Sequence, residues 1–368
     1  MTPVILWTDA LLFLLLFGLG FMIAMVRRRE HLCAPWRRVF RRKLGLFSFL
    51  ILMAYVVVGV LDSFHFQPEG SGQIISVLDV VSGRLDQKME KTYSAPLATH
   101  LLSRELVEDE NGKMQRVYPP LEYEHLLGTD KIGQDVLYKT LKSIRTGLLI
   151  GTLTTLIMLP LAILLGLMAG YFRGWVDDVI QYLYTTLSSI PGVLLIAAAI
   201  LTLQVMISNH PHWYETDVER ADLRLLALCC ILGLTSWTGL CRLIRAETLK
   251  LRELGYVQAA QVFGVPHLTI ISRHILPNLM HLVLISIALD FSALVLAEAV
   301  LSYVGVGVDP SMHSWGNMIN SARLELAREP VVWWSLTAAF SFMFVLVLAA
   351  NLFADAVRDG FDPKGQSL

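Results

Sequence analysis

The sequence has few cysteines and few charged residues. Of its 368 residues, 17% are charged and 55% are hydrophobic. The four cysteines are Cys33, Cys229, Cys230 and Cys241, so the longest polar stretch, residues 62–142, contains none. A disulfide framework is therefore excluded there, and no paired-cysteine metal spacing occurs. Together with a mean hydropathy of +0.56, this composition is typical of a polytopic membrane protein and not of a soluble globular domain.

The sequence also lacks the Gly-x4-Gly-Lys-Ser/Thr motif that binds nucleotide phosphates in P-loop proteins. We expect no catalytic residue, no cofactor and no metal site in this chain. His210 and His212 have no further metal-binding residues beside them, so an ordinary loop is the preferred interpretation of this pair.

Long apolar stretches predict seven membrane spans, because ~20 apolar residues cross a bilayer core. Their approximate bounds are 6–26, 44–61, 144–171, 179–204, 223–243, 279–301 and 331–353. Pro160 in the third span and Pro191 in the fourth predict bends, since proline interrupts backbone hydrogen bonding in a helix.

The charge of the linkers predicts the orientation of the chain in the membrane. Residues 27–43 contain eight basic residues and the single acid Glu30. By the positive-inside rule this linker is cytoplasmic, which places the N-terminus outside and, after seven spans, the C-terminus inside. Because the basic run lies between two spans, we expect membrane lipid and no nucleic acid as its neighbour.

Residues 62–142 predict an extracytoplasmic α/β insertion between the second and third spans. Their 13 acidic and 9 basic residues give a net charge of −4. Residues 74–78 have strand composition, and residues 105–108 and 114–118 flank Asn111-Gly112, a dipeptide typical of hairpin turns.

Residues 256–278 predict two short helices with a sharp corner between the last two spans. Gln258 to Phe263 has helical composition, Gly264 suits the left-handed residue that ends such a helix, and Pro266 suits the first turn of the next helix.

This segment resembles the EAA loop of bacterial ATP-binding-cassette (ABC) importer permeases, which reads Glu-Ala-Ala, three residues, Gly, nine residues, Ile-x-Leu-Pro. The positions in register are Ala259, Ala260, Gly264, Leu276 and Pro277. Gln258 replaces the glutamate, and His274 replaces the first isoleucine. In the family this loop sits in a groove of the ATPase subunit, and we name residues 246–277 the coupling loop.

The resemblance implies that five residues of the coupling loop contact an ATPase. They are Gln258, Ala259, Ala260, Phe263 and Gly264. From the segment alone, an ordinary amphipathic connector between two membrane helices remains an open alternative.

Three further segments resemble the C-type permease of oligopeptide and dipeptide importers: residues 125–137 (His-Leu-Leu-Gly-Thr-Asp and onward), 301–318 and 351–363. Locally, a helix capped by Thr129 or Asp130 also explains the first of them. The resemblance implies an all-α integral membrane protein in which a type I permease core is extended by an N-terminal span and the α/β insertion.

We divide the chain accordingly into four parts. They are an N-terminal pair of spans with its basic linker (1–61), the insertion (62–142), the permease core (143–358) and a cytoplasmic tail (359–368).

The resemblance also implies a function and a set of partners. The chain would form half of the translocation pathway for di- or oligopeptides in a bacterial inner membrane. Its partners would be a second permease in a heterodimer, two cytoplasmic ATPases that bind ATP and magnesium, and an extracytoplasmic peptide-binding protein. Two alternatives stay open: the same machinery importing nickel complexes, glutathione or antimicrobial peptides, and a receptor or channel without ATPases.

Two acids lie in the sixth span. Ser286, Asp290, Ala293 and Ala297 follow helical spacing and form a small and polar stripe, so Asp290 is expected to face protein or water. Such an acid is a candidate pathway residue, and an interhelical hydrogen bond is an equal alternative. Glu298, nearer the membrane edge, is expected to be interfacial.

The predicted orientation is testable with single cysteines in a cysteine-free background. Cysteines at Thr2 and Asn111 should react with membrane-impermeant thiol reagents in intact cells, because both positions are predicted to be outside. A cysteine at Arg29 should react only after lysis. Protection of position 111 in intact cells would contradict the seven-span arrangement.

Overall fold

The computed structural model describes residues 2–4, 6–27, 30–67, 74–108, 114–214 and 216–361. Most of them are helical. The helices are α1 (Trp7–Arg27), α2 (Glu30–Arg41), α3 (Lys43–Ser63), α4 (Val77–Val81), α5 (Val136–Phe172), α6 (Gly174–Ser189), α7 (Gly192–Asn209), α8 (Asp217–Ser236), α9 (Thr238–Arg252), α10 (Gly255–Val262), α11 (His267–Ile270), α12 (Leu276–Val304), α13 (Trp315–Glu325) and α14 (Trp334–Phe361). The strands are β1 (Thr2–Val4), β2 (His65–Gln67), β3 (Ile75–Ser76), β4 (Glu105–Glu108) and β5 (Met114–Val117).

Six helical segments of the described chain are long and apolar enough to cross a membrane. They are Lys43–Ser63, Val136–Phe172, Gly192–Asn209, Asp217–Arg252, His267–Val304 and Trp334–Phe361. The predicted helical membrane fold is thereby confirmed. Helix α1 (Trp7–Arg27, 21 residues) covers the first predicted span, but it is not one of these six segments. A total of seven membrane spans therefore stays a prediction.

The fourth predicted span, 179–204, is wrong in its bounds, because two helices meet within it. Helix α6 ends at Ser189, Ile190 is extended, and α7 begins at Gly192. Proline disfavours the helical conformation of the residue before it, so Pro191 separates the two helices instead of bending one. Pro160, by contrast, lies inside the continuous helix α5.

Contacts divide the chain into two compact units. The first consists of Met1–Ala10, Ile51–Leu149 and Val295–Leu348, and the second of Leu11–Leu50, Ile150–Leu294 and Ala349–Leu368.

The predicted α/β insertion lies in the first unit. Strands β4 and β5 pair antiparallel, with Glu105 opposite Val117, as the hairpin prediction required. Its turn at Asn111-Gly112 lies outside the described residues. The predicted strand over residues 74–78 is only partly present, because Ser76 and Asp79 form a capping box that starts α4 at Val77.

The first unit also ties the start of the chain to the insertion. Strand β1 pairs antiparallel with β2, with Thr2 opposite Gln67, and β2 pairs with β3. Of this small sheet the sequence analysis predicted only β3, within residues 74–78, because the strands have two or three residues each and β1 precedes the first predicted span.

A buried ion pair joins α1 to α5 in the first unit. Arg145 Nη2 donates to Asp9 Oδ1 over 2.6 Å, and the two side chains are 6% and 0% exposed. Arg145 also donates to Thr8 and Ser63, and His65 Nδ1 lies 2.9 Å from Asp9 Oδ2. Since all these groups are shielded from water, loss of one charge leaves the other without compensation.

We therefore expect Asp9→Leu to lower the stability of the protein by about 3 kcal/mol or more, the usual effect of an unpaired buried charge. The readout is the melting temperature of the purified protein in detergent. Glu247→Ala is the matched control, because it removes the exposed pair with Lys250, whose side chains are 30% and 71% exposed; such pairs contribute about 1 kcal/mol or less. Equal melting temperatures for the two variants would contradict the assigned role.

The core of the second unit lies between α5, α6, α9, α10 and the start of α12. Its fully buried side chains include Ile244, Val257, Ile270 and Ile275. Glycine allows α5 to approach α9 closely: a Cβ at Gly166 would lie 2.8 Å from the Cys241 carbonyl oxygen. Small residues at such a contact bring two membrane helices together.

Candidate functional site

The coupling loop forms the corner that its sequence predicts. Helix α10 ends at Val262, and Gly264 has a φ of +75°. The Val265 amide donates to the Ala260 carbonyl over 3.1 Å and the Gly264 amide to Gln261 over 3.0 Å, which satisfies the last carbonyls of the helix. The left-handed conformation predicted for Gly264 is confirmed.

The second half of the corner differs in detail from the prediction. Pro266 lies just before α11 and not within its first turn, and its carbonyl accepts from the Thr269 and Ile270 amides. A π-helical turn, Ile271–Ile275, then leads into α12. The sequence contains no recognised signal for this turn.

The coupling loop has a buried side and an exposed side. Val257, Ile270 and Ile275 are all 0% exposed within the core of the second unit. The corner residues Val262, Phe263 and Leu268, in contrast, are 85%, 84% and 79% exposed. Large apolar side chains held in water next to a well-packed core are typical of an interaction surface.

The five predicted contact residues lie together in α10 and the corner that follows it. Gln258, Ala259, Phe263 and Gly264 are exposed, whereas Ala260 is half-buried and packs against the core of the second unit. Ala259 is therefore the alanine that is open to a partner.

A carboxylate that the sequence analysis missed lies beside Gln258. Gln258 Nε2 donates to Glu253 Oε2 over 3.4 Å, and Arg173 forms an ion pair with Glu253. Glu253 thus places a negative charge next to the position where the family pattern has glutamate. Its position five residues earlier gave no sequence signal.

The sequence analysis also missed an ion pair between α6 and α9, close in the chain to the start of the coupling loop. Arg245 of α9 donates from Nε and Nη2 to the two carboxylate oxygens of Asp177 in α6, over 2.5 and 2.6 Å. This bidentate geometry is the strongest form of an arginine–carboxylate pair. The hydrogen bonds from Arg245 lower the pKa of Asp177 below its ordinary value of 3.8.

Asp290 and Glu298 have different surroundings. Asp290 is half-buried in α12, and its Oδ2 has no hydrogen-bond partner among the described residues. Glu298 is 3% exposed and accepts from Ser302 over 2.7 Å. A Cβ at Gly316 would lie 2.8 Å from Glu298 Oε1, so Glu298 lies inside the first unit at the start of α13. The chain after α12 thus folds back over the Glu298 carboxylate, and the position expected for Glu298 near the membrane edge stays a prediction.

No cluster of three or more metal-binding side chains occurs within the described residues. The His210 ring stacks on Trp213 with 4.8 Å between centroids, and His210 Nδ1 lies 2.8 Å from the Met206 carbonyl. These contacts account for His210 as a loop residue.

We expect Asp177→Asn to lower the melting temperature by weakening the junction of α6 and α9. Because the folded pKa of Asp177 is depressed, its stabilisation is complete above the unfolded pKa and is lost as pH falls through the folded pKa. The difference in melting temperature between wild type and variant should therefore be constant from about pH 5 to 8 and shrink below about pH 4. A difference that grows on acidification would contradict the pairing.

Comparison with known proteins gives a consistent set of matches. Residues 162–365 match the family model described as "Binding-protein-dependent transport system inner membrane component". A glutathione transport system permease, GsiD of Pectobacterium atrosepticum, is 31% identical over 66% of this chain and 74% of its own length. The oligopeptide permease OppC of Haemophilus influenzae is 30% identical over 70% and 76%. The dipeptide permease DppC of Bacillus subtilis is 25% identical over 89% and 84%. A solved inward-facing methionine ABC transporter has a TM-score of 0.43 at 15% identity, covering 62% of this chain and 97% of its own.

Proposed function

Because the chain belongs to the family of binding-protein-dependent transport system inner membrane components, we propose that it forms half of the translocation pathway of an ABC importer for di- or oligopeptides. Relatives named for oligopeptide, dipeptide and glutathione transport support a peptide cargo. The chain is a transport subunit, and ATP and magnesium are bound by two cytoplasmic ATPases.

The observation that carries this proposal is the exposed side of the coupling loop. Phe263 and Val262 project from the end of a short helix whose other side is fully buried at Val257. A helix held in this way moves together with the core of the second unit. It therefore suits a contact through which an ATPase displaces membrane helices.

The remaining partners follow from the family and from the proposed orientation. A second permease completes the pathway, and a peptide-binding protein delivers cargo from the side of the insertion. With the N-terminus outside and the C-terminus inside, the coupling loop faces the cytoplasm, where its basic residues belong.

Asp290 is the residue of α12 that we assign to the pathway. A carboxylate within a membrane span is retained where it faces water, a partner or cargo. Its Oδ2 is buried and has no hydrogen-bond partner among the described residues, so it can attract the cationic amino terminus of a peptide once the pathway opens around it. Asp290→Asn should then impair uptake more for peptides with a free amino terminus than for acetylated peptides.

The coupling contact is testable with Gly264→Val and Ala259→Trp. Valine at a left-handed position costs about 1–2 kcal/mol locally, enough to displace the corner without unfolding the membrane helices. Tryptophan at the exposed Ala259 adds bulk where a partner would pack. Both variants should insert normally, yet lose co-purifying ATPases or lose cargo uptake.

Gly83→Val is the matched control. Gly83 has a φ of +70° and, like Gly264, nothing within 4 Å of an added Cβ, but it lies in the insertion. The same backbone strain there should leave ATPase retention and uptake unchanged. Normal ATPase retention and uptake in both loop variants would mean that the coupling loop is only a connector.

The cargo requires a separate measurement. Reconstituted complexes should take up dipeptides or oligopeptides in an ATP-dependent manner when the binding protein is supplied. Uptake of glutathione or of a nickel complex instead would mean that the cargo differs, while the proposal of an ABC importer would stand. Purification without any ATPase would favour the receptor or channel alternative.

A further inference from the structure

One side chain at the end of α5 contacts both halves of the coupling loop. Tyr171 is 3% exposed. Its hydroxyl lies 2.8 Å from His267 Nδ1 in α11 and accepts from Gln261 Nε2 in α10 over 3.3 Å. A phenol has one proton to donate and lone pairs to accept, so the hydroxyl can satisfy both partners when it donates to His267.

The main chain of the same residue binds the third element of the loop. Arg252 Nη1 at the end of α9 donates to the Tyr171 carbonyl over 2.6 Å. The Arg252 guanidinium also lies 5.8 Å from the centre of the Tyr171 ring, and the His267 ring meets that ring edge-on at 5.5 Å. Helices α9, α10 and α11 therefore all contact one residue of a membrane span.

These polar contacts differ in kind from the apolar packing around them. Burial of Val257 and Ile270 holds the loop against the core, but apolar contact has no preferred direction. Hydrogen bonds require particular distances and angles. They fix the position of α10 and α11 relative to α5, where packing alone would allow the loop to slide.

We infer that Tyr171 is a positioning residue that transmits displacement of the coupling loop to α5, through its hydroxyl bonds to His267 and Gln261. The inference rests on the proposed function, since it assumes an ATPase that moves the loop. It assigns the transmission to a hydroxyl group, whereas the proposed function requires only that the ATPase contacts the exposed corner.

Tyr171→Phe tests the inference, because it keeps the ring and removes the hydroxyl. In the full complex, the ATPases should co-purify as in wild type and the melting temperature should change little, since the corner remains buried on its inner side. Cargo imported per ATP hydrolysed should fall by about fivefold or more, the scale of one lost hydrogen bond, because the hydroxyl no longer links α10 and α11 to α5.

Tyr184→Phe is the matched control. Tyr184 is a buried tyrosine of α6 in the same core, 7% exposed, and its hydroxyl has no assigned hydrogen bond within the described residues. Its loss should leave the transport-to-hydrolysis ratio unchanged. A purely structural contribution of buried tyrosine hydroxyls would lower stability in either variant and would not select this ratio.

His267→Ala provides a second, independent variant. It should reduce the same ratio, and the double variant with Tyr171→Phe should be no worse than the poorer single variant, because both remove one shared bond. A normal ratio in Tyr171→Phe, additive losses in the double variant, or release of the ATPases by Tyr171→Phe would each overturn the inference. If Gly264→Val still uncouples the complex, the proposed function stands without it.

Discussion

The shape of the coupling loop depends on apolar side chains that are buried on one of its sides only. Val257, Ile270 and Ile275 are fully buried in the core of the second unit, and each such burial contributes about 1.5–3 kcal/mol. They lie in α10, in α11 and in the π-helical turn, each of which is too short to be stable alone in water. The core therefore orders the loop on its buried side and leaves Val262, Phe263 and Leu268 exposed.

The same core explains how such a loop could move membrane helices. Glycines bring α5 close to α9, with Gly170 against Thr248, and the Asp177–Arg245 pair joins α9 to α6 at the base of the loop. Tyr171 adds directional bonds to a region otherwise held by packing. A force applied at Phe263 would thus act on several helices at once.

The sequence predicted the features that depend on neighbouring residues. Gly264 and Pro266 specify the corner through local backbone preferences. At Pro191, in contrast, the sequence predicted a bend, and the structure has the end of one helix and the start of the next. The capping box of Ser76 and Asp79 is equally local, and it explains why residues after Ser76 leave the predicted strand. The later membrane spans could be predicted from composition alone, because each is a long apolar stretch.

Features that depend on distant residues could not be predicted. Arg145 and Asp9 are 136 residues apart in the chain, and no spacing rule connects them. The burial of Glu298 could not be predicted, because the return of the chain over it, at Gly316, is a tertiary contact. Tyr171 lies 90 and 96 residues before Gln261 and His267 in the chain, so its bonds to them became visible only in the fold.

The central claim, that the exposed corner of the coupling loop packs against an ATPase, is tested most directly by a photo-crosslinking amino acid at Phe263 in intact cells. A matched probe at Leu164, 60% exposed within the α5 span, reports contacts away from the corner. We predict that the probe at Phe263 forms a covalent product with a nucleotide-binding protein that mass spectrometry identifies, and that the probe at Leu164 does not. Crosslinks from Phe263 to lipid or to this chain alone would contradict the claim.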